Sequence, residues 1–248
     1  MDAPSYDDQA HAYDARVGLG IPVCQAIAVH IRQLCGPGVI AEWGCGTGEI
    51  GVQLGAPYVG LDRSAAMLDV FRQRSPDADL RLADGNEPWP LEDRSVAAVF
   101  GSRSLHLMNP DHLAEECRRV QVADGWVLIG RVQRDRDSLR DRMRRRMQGL
   151  LKEFGYQPRD GRSRGRRLFE VLGLDAETTR VVSWPVSHSP GKALAAWADK
   201  PGLAGILPDP SHKALILHAL ADEFGDSDAS ESSVEWYTVA AARWKANP

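Results

Sequence analysis

The stretch from Val39 to Ile50 constrains the fold of this chain more than any other part of the sequence. A short apolar run ends in Glu42 and Trp43, and glycines follow at the alternate positions 44, 46 and 48. Glycine adopts positive φ angles easily, and without a Cβ it lets a ligand approach the backbone. A helix can begin directly behind the glycines, and a strand, a glycine turn and a helix N-terminus together form a site for nucleotide-like ligands. The stretch therefore predicts an α/β fold with a ligand site at the end of its first strand.

Glu49 narrows the class of ligand. A dinucleotide-binding fingerprint would carry its third glycine at this position. The carboxylate would repel a pyrophosphate at the helix end, so a nicotinamide-dependent dehydrogenase is disfavoured. A ligand with one carboxylate, a positive sulfonium and a ribose suits the loop better.

Acidic residues also end the next two predicted strands. Pro57–Asp62 is a short apolar run ending in Asp62, and Ser64 then opens a helix with apolar residues at helical spacing. An aspartate at the tip of the second parallel strand is placed to accept hydrogen bonds from two ribose hydroxyls. Leu80–Ala83 is predicted as the third strand, and Asp84 follows it.

Several segments in this order and spacing resemble the class I S-adenosylmethionine-dependent methyltransferases. In particular they resemble the broad group like the ubiquinone and menaquinone biosynthesis methyltransferases, methyltransferase domain type 11. The segments are Glu42-Trp43-Gly44-Cys45-Gly46-Thr47-Gly48, Gly60-Leu61-Asp62 and Leu82-Ala83-Asp84-Gly85-Asn86, extended by Pro88–Ser95 and Ser104–Leu107. The resemblance implies a Rossmann-like α/β sheet of seven strands in the order 3-2-1-4-5-7-6, with the last strand antiparallel and with helical cap insertions.

The resemblance also implies S-adenosyl-L-methionine as cofactor and a set of residues that bind it. The glycines would admit the methionyl end, Asp62 would hold the ribose, and Asp84 would meet the adenine amino group. An ordinary turn with an Asx hydrogen bond is the alternative for Asp84, and plain core packing is the alternative for Met67. The implied set is Glu42, Gly44, Cys45, Gly46, Gly48, Asp62, Arg63, Met67, Asp84, Gly85 and Asn86.

Two residues are candidates for catalysis. His106 follows the predicted fourth strand, Val96–Gly101, by a few residues, and an imidazole titrates near neutrality, so it is a candidate general base. Tyr13 lies in an acidic N-terminal stretch that the resemblance implies closes over the cofactor. The alternatives are a structural histidine and a tyrosine ring that packs on the core.

No metal site is expected. Most relatives have an aspartate where this chain has Ala97, so a metal-assisted catechol-type mechanism lacks its most obvious ligand. The four cysteines show neither metal-ligand spacing nor a disulfide framework. Together with an N-terminus unlike a signal peptide and the lack of a membrane-spanning apolar run, they predict a cytoplasmic protein.

Charge is distributed unevenly along the chain. Residues 131–167 contain fourteen basic and five acidic side chains, a net of about +9 in a chain of net charge −4. An anionic partner such as RNA is one explanation. Apolar residues recur at helical spacing from Leu139 to Phe154, however, so an amphipathic helix with a solvated or internally paired basic face is favoured. Gly161–Arg167 is predicted to be a flexible loop.

The predicted organisation is one methyltransferase domain over residues 1–248. Residues 1–36 would form a lid and helix, 37–132 the cofactor-binding core, 133–177 a basic helical insertion, and 178–248 the last two strands with a helical insert. Trp197, Tyr237 and His188 are candidates for substrate selection, and core packing is the alternative for the aromatic ones.

The predicted function is methyl transfer to a small-molecule acceptor. An RNA methyltransferase and a non-catalytic S-adenosylmethionine-binding protein remain open alternatives. A nucleic-acid partner is disfavoured because few aromatic residues are interleaved with the basic ones. The sequence indicates neither the acceptor atom nor the oligomeric state.

Overall fold

The computed structural model describes residues 10, 13–14, 18–157 and 161–244, with the backbone alone for His106 and residues 161–165. The chain divides into two compact units. The first contains Met1–Val132, Gly161–Val182 and Tyr237–Pro248, and the second contains Gln133–Asp160 and Ser183–Trp236. The predicted organisation as one domain with two insertions stays a proposal.

Seven strands form one sheet in the described residues, in the order β3-β2-β1-β4-β5-β7-β6 with the last strand antiparallel. The strands are β1 Ile40–Trp43, β2 Tyr58–Asp62, β3 Asp79–Leu82, β4 Val96–Ser102, β5 Gln121–Arg134, β6 Glu177–His188 and β7 Glu231–Arg243. The first five strands pair in parallel, and Ile40 of β1 lies opposite Tyr58 of β2 and Ala98 of β4. This arrangement confirms the fold predicted from the sequence.

Burial explains why the central strands are nearly continuous apolar runs. Every residue of β1 and β2 is buried, as expected for parallel strands covered on both faces. In the first unit the helices are α1 Ile21–Cys35, α2 Gly51–Leu54, α3 Ala65–Arg74, α4 Pro110–Val120 and α6 Gly161–Leu172. Helix α4 begins at Pro110, and the Asn109 side chain caps it by accepting the N–H of Asp111.

Helix α6 corrects one prediction. The sequence predicts a flexible loop at Gly161–Arg167, but helix begins at Gly161. Leu168, Phe169 and Leu172 are buried in the main apolar cluster of the first unit. Burial of this C-terminal end stabilises the helix, and the glycines and arginines that precede it extend the helix toward its N-terminus.

The second unit has its own apolar cluster. Its helices are α5 Leu139–Glu153, α7 Pro190–Ala198 and α8 Pro210–Phe224. The buried members of the cluster are Met147, Leu150, Leu151, Leu203, Ile216 and Leu220. Helix α5 is therefore amphipathic, as its apolar spacing predicts. Over the described part of the chain, no helix is long and apolar enough to cross a bilayer.

Candidate functional site: a cavity at the carboxyl ends of the strands

A cavity of about 1080 Å³, including its solvent-open part, lies where β1, β2 and β4 end. In open α/β sheets ligands bind beyond the carboxyl ends of the strands. The lining residues are Tyr13, Glu42, Trp43, Gly44, Cys45, Gly46, Thr47, Glu49, Ile50, Asp62, Arg63, Met67, Ala83, Asp84, Gly85, Asn86, Ser102, Arg103, Ser104, Leu107 and Met108.

The three loop glycines have different roles. All have positive φ, at 68° for Gly44, 56° for Gly46 and 83° for Gly48. A Cβ on Gly44 would lie 2.3 Å from Cβ of Ser104, and one on Gly48 would lie 2.4 Å from the Phe71 ring. A Cβ on Gly46 would meet no described atom within 4 Å. Gly46 therefore leaves open space in the loop, whereas the other two glycines allow close packing of the protein itself.

Asp62 joins the second strand to the glycine loop. Its side chain accepts hydrogen bonds from the backbone N–H groups of Gly46 and Ser64, both at 2.9 Å. The residue is 8% exposed, and burial raises the pKa of its carboxyl, although these N–H groups oppose the shift. A carboxylate oxygen can accept more than one hydrogen bond, so Asp62 can also serve a ligand at the cavity wall.

Glu42 is a buried carboxyl at the wall of the cavity. It is 2% exposed and accepts a hydrogen bond of 2.7 Å from the Tyr58 hydroxyl. Burial raises the pKa of Glu42 from 4.5 to about 8, although the Tyr58 hydrogen bond opposes the shift. The free protein therefore holds this carboxyl largely protonated at neutral pH. A cation bound nearby would favour its ionised form.

Asp84 forms the Asx turn that was the alternative to its predicted adenine contact, and it also lines the cavity. Its Oδ1 accepts from the backbone N–H of Asn86 at 2.9 Å and from its side-chain amide at 3.1 Å. The Asn86 amide oxygen accepts the N–H of Asn109 at 2.7 Å. The Asx turn is compatible with an adenine contact, because it holds this exposed carboxylate at the cavity rim.

The segment before α1 is fastened to the glycine loop by a polar clasp of Asp14, Thr47 and Arg74. The Thr47 hydroxyl donates to Asp14 at 2.6 Å, and Arg74 forms an ion pair with Asp14 at 2.5 Å. Arg74 also donates to the Thr47 carbonyl at 3.1 Å. Tyr13, next to Asp14, packs against a buried apolar cluster that includes Met67, and it lines the cavity. The clasp therefore holds Tyr13 at the cavity wall.

Glu49 faces the same N-terminal segment. It accepts the N–H of Leu19 at 3.1 Å and lies 4.0 Å from the Arg103 guanidinium. Burial, and then the charge of Asp14, raise the pKa of its carboxyl. Glu49 stands where a dinucleotide fingerprint would have its third glycine. Its contact with Leu19 gives it a structural role within the protein.

The end of β4 brings further polar groups to the cavity. Ser102 accepts a hydrogen bond of 2.6 Å from the hydroxyl of Tyr237, a fully buried residue of β7. Ser104 donates to the Trp43 carbonyl at 2.5 Å. Between them Arg103 has a positive φ of 61°, an uncommon value for a residue with a Cβ. Tyr237 thus braces the cavity wall through Ser102, in addition to the core packing considered from the sequence.

The family comparison agrees with this geometry. Residues 41–129 match the model of a family described as methyltransferase domain. The match begins in β1, includes the glycine loop, Asp62 and Asp84, and ends in β5. This match and the strand order together support an S-adenosylmethionine-dependent methyltransferase with the class I fold. S-adenosylmethionine is the cofactor of this enzyme.

Solved structures share the fold of the methyltransferase at low sequence identity. Geranyl diphosphate C-methyltransferase from Streptomyces coelicolor A3(2) is 14% identical, with a TM-score of 0.51 over 98% of this chain and 85% of that one. A Thermotoga maritima protein described as a possible histamine N-methyltransferase is 15% identical, with a TM-score of 0.55 over 97% and 98% of the chains. The YcgJ protein from Bacillus is 13% identical, with a TM-score of 0.55 over 89% and 98%. No curated protein matches the sequence significantly.

The cavity of the methyltransferase brings together most of the predicted site residues. Those on its wall are Tyr13, Glu42, Gly44, Cys45, Gly46, Asp62, Arg63, Met67, Asp84, Gly85 and Asn86. Gly48 is not among the lining residues of the described chain and packs on Phe71 instead. His106 belongs to the short 3-10 turn Leu105–Leu107, and its side chain lies outside the described residues.

Other lining residues of the methyltransferase were not assigned from the sequence. Thr47 and Glu49 belong to the glycine stretch, but their contacts with Asp14 and Leu19 join segments about thirty residues apart. Ser102 and Arg103 follow β4 directly, so their place at a carboxyl strand end was an available signal. Nothing in the local sequence indicates that Tyr237 would meet Ser102.

The structure also locates Ala97, the position where the metal argument was made. It is the second residue of β4, at the amino end, and a Cβ on Gly38 would lie 2.4 Å from its Cβ. Ser102, at the other end of the strand, lines the cavity. The identity of residue 97 therefore bears on packing rather than on cavity chemistry. Within the described residues, no group of three or more potential metal ligands occurs.

Proposed function

We propose that this methyltransferase transfers the methyl group of S-adenosylmethionine to a small-molecule acceptor. The observation that carries the proposal is the single cavity wall shared by the glycine loop and the acidic residues that end β1, β2 and β3. Membership of the ubiquinone and menaquinone group and a cytoplasmic location stay predictions from the sequence.

The residues of the cavity fit the parts of the cofactor. The space beside Gly46 would admit the methionyl end, and the Glu42 carboxyl would stabilise its positive charge. Asp62 would accept hydrogen bonds from the ribose hydroxyls, and Asp84 from the adenine amino group. Arg63 and Met67 would border the nucleoside. When bound, the cofactor supplies an activated methyl group, so the protein mainly has to align the acceptor and exclude water.

Two relatives of similar fold support a small-molecule acceptor. One is named for methylation of geranyl diphosphate at carbon, and the other for histamine at nitrogen. These acceptors differ in charge and reacting atom, so they support the size class alone. Whether this enzyme methylates oxygen, nitrogen, sulfur or carbon depends on its acceptor.

Internal pairing accounts for several of the basic residues of α5. Arg142 contacts Glu231 at 2.8 Å, and Arg146 contacts both Glu223 at 2.8 Å and Glu153 at 3.0 Å. Arg145 also forms an ion pair, with Asp141 one helical turn away. A guanidinium paired within the protein must break that contact to meet a phosphate. These pairs therefore favour a small-molecule enzyme over the RNA methyltransferase alternative.

The decisive experiment measures binding and transfer together. Calorimetry should show that S-adenosylmethionine and its demethylated product bind and that NAD does not. The enzyme should then transfer a labelled methyl group to a component of a small-molecule extract. Cofactor binding with no transfer to small molecules or RNA would instead support the non-catalytic alternative.

A salt titration separates the RNA alternative. If Arg144, Arg145, Arg146, Arg164, Arg166 and Arg167 touched phosphates, tRNA affinity would fall steeply with salt. We expect weak binding without sequence preference and no methyl incorporation into RNA. Micromolar affinity at physiological salt together with methylated RNA would refute the small-molecule proposal.

His106 and Tyr13 stay the proposed catalytic residues, and the acceptor decides whether a base is needed. If His106 is a general base, His106→Asn should lower turnover by about 10²- to 10⁴-fold with little change in cofactor affinity. The pH profile should also lose its rising limb near neutrality. Normal turnover and an unchanged pH profile in the Asn variant would mean that the enzyme acts only by aligning the methyl donor with the acceptor. This outcome fits an acceptor that is already nucleophilic.

A further inference from the structure

The second unit contains a cluster of charged groups that the methyl-transfer proposal does not use. We define the Glu235 cluster as Arg134 at the end of β5, Arg140 in α5, His188 at the end of β6, and Glu235 in β7. Oε1 of Glu235 lies 3.0 Å from Arg134, 3.3 Å from Arg140 and 3.7 Å from His188. Glu235 is 6% exposed, and two guanidinium groups and one imidazole nitrogen surround one oxygen of its buried carboxylate.

The cluster contains more positive than negative charge. Arg134 and Arg140 share the one carboxylate of Glu235, whereas Arg142 and Arg146 nearby in the chain have carboxylates of their own. With His188 neutral, the cluster carries one net positive charge. Burial, and then the charge of Arg134, lower the pKa of Arg140. Burial, and then the charge of Arg140, lower the pKa of His188.

His188 supplies a second sign of an incomplete site. Its Nε2 atom is buried and makes no hydrogen bond to any group in the described part of the chain. The distance of 3.7 Å to Glu235 is too long for a hydrogen bond. A buried polar atom without a partner costs free energy, and a ligand or a water molecule normally satisfies it.

We propose that the Glu235 cluster binds a small oxyanion, a carboxylate or a phosphate, through Arg140 and His188. The Arg140 side chain is 40% exposed and the His188 ring 24%, so a ligand can reach the guanidinium and the ring edge, and it meets the buried Nε2 once the imidazole turns toward it, whereas Arg134, at 14%, supports the site from within. A planar guanidinium matches the two oxygens of a carboxylate or phosphate. One added negative charge would balance the cluster, and the oxyanion would accept the hydrogen bond that His188 Nε2 lacks.

This proposal does not rest on the proposed function, and simple anions test it. Calorimetry with the full chain at constant ionic strength would titrate inorganic phosphate and, separately, acetate. We expect saturable binding of at least one of them, weakened about tenfold or more in Arg140→Gln and in His188→Phe. Arg142→Gln is the matched control on the same helix, because Arg142 pairs with Glu231 outside the cluster. Its affinity should equal that of the wild type.

Glu235→Gln provides a test in the opposite direction. It removes the internal carboxylate that occupies the arginines, so anion affinity should rise several-fold even if the protein is less stable. Binding of phosphate alone would identify a phosphate site, and binding of acetate as well would identify a carboxylate site. The proposal is overturned if neither anion binds saturably, or if Arg140→Gln binds as well as the Arg142→Gln control.

Discussion

At the scale of single residues, two acids of the cavity differ in what opposes the effect of burial. Burial raises the pKa of both carboxyls, but several backbone N–H groups oppose the shift at Asp62, whereas the pKa of Glu42 reaches about 8. Asp62 can therefore accept hydrogen bonds as a carboxylate. Glu42 should lose its proton when a cation binds nearby. Each leads to a separate measurement.

Asp62→Asn should weaken binding of S-adenosylhomocysteine by roughly 10- to 100-fold. The amide preserves the shape of the side chain but loses the charge that strengthens hydrogen bonds from the ribose. Asp69→Asn is the control, because Asp69 is an exposed acid paired with Arg72 on α3. Calorimetry should show unchanged affinity in the control. Equal affinity in both variants would remove Asp62 from the ribose site.

Glu42 should make the stability of the cofactor-free protein depend on pH. Its folded pKa of about 8 lies above its unfolded value of 4.5, so between these values the folded state binds more protons than the unfolded state. Stability from this group is present below pH 4.5 and is lost as pH rises through 8, by up to about 1.4 kcal/mol per pH unit. Glu42→Gln should flatten this slope in urea unfolding. An unchanged slope in the variant would show that Glu42 ionises normally.

At the scale of elements, the clasp of Asp14, Thr47 and Arg74 should control cofactor exchange. Loss of an ion pair between partly buried groups loosens the segment that carries Tyr13. We expect Asp14→Asn to speed dissociation of S-adenosylhomocysteine by about tenfold, on the order of 1.4 kcal/mol. Stopped-flow displacement would measure the rate. Arg72→Ala is the control. Arg72 lies on α3 like Arg74 but forms an exposed ion pair with Asp69, so its loss should leave the dissociation rate unchanged.

The sequence predicts elements well where local signals and burial agree. The apolar runs of β1 and β2 and the proline start of α4 predict those elements closely. The start of α6 could not be predicted, because its glycines and arginines favour a loop and the apolar residues that anchor it come later. In the site, the acidic residues at the strand ends could be predicted from the sequence. The hydrogen bond between Tyr237 and Ser102 could not, because it joins residues of two strands that are 135 positions apart.

At the scale of the whole molecule, β5 and the last strand, β7, are neighbours in the sheet, and Gly130 of β5 lies against Tyr237 of β7. A Cβ on Gly130 would lie 1.8 Å from the Tyr237 hydroxyl oxygen and 2.6 Å from its Cζ. Gly130→Ala should therefore destabilise the protein by about 2–3 kcal/mol in chemical denaturation, because buried Tyr237 must move. Tyr237→Phe in the same chain should recover part of this loss by removing the nearest atom.

Gly149→Ala is the matched control for that measurement. Gly149 lies inside α5, and an added Cβ would meet only Arg146 at an ordinary 3.8 Å. Alanine should stabilise this helix by about 0.5–1 kcal/mol, the opposite sign to the effect at position 130. If Gly130→Ala were as stable as wild type, the close approach of Tyr237 would not exist in solution.

The order in which the chain visits its two units has a consequence for synthesis. The chain leaves the first unit after Val132, returns at Gly161, leaves again after Val182 and returns at Tyr237. The hydroxyl that braces Ser102 thus emerges from the ribosome 135 residues after its partner. Contacts of such long sequence separation form slowly. A nascent chain halted before Tyr237 would carry a complete glycine loop but an unbraced cavity wall, so the capacity to hold cofactor and the finished active site should mature at different moments of translation.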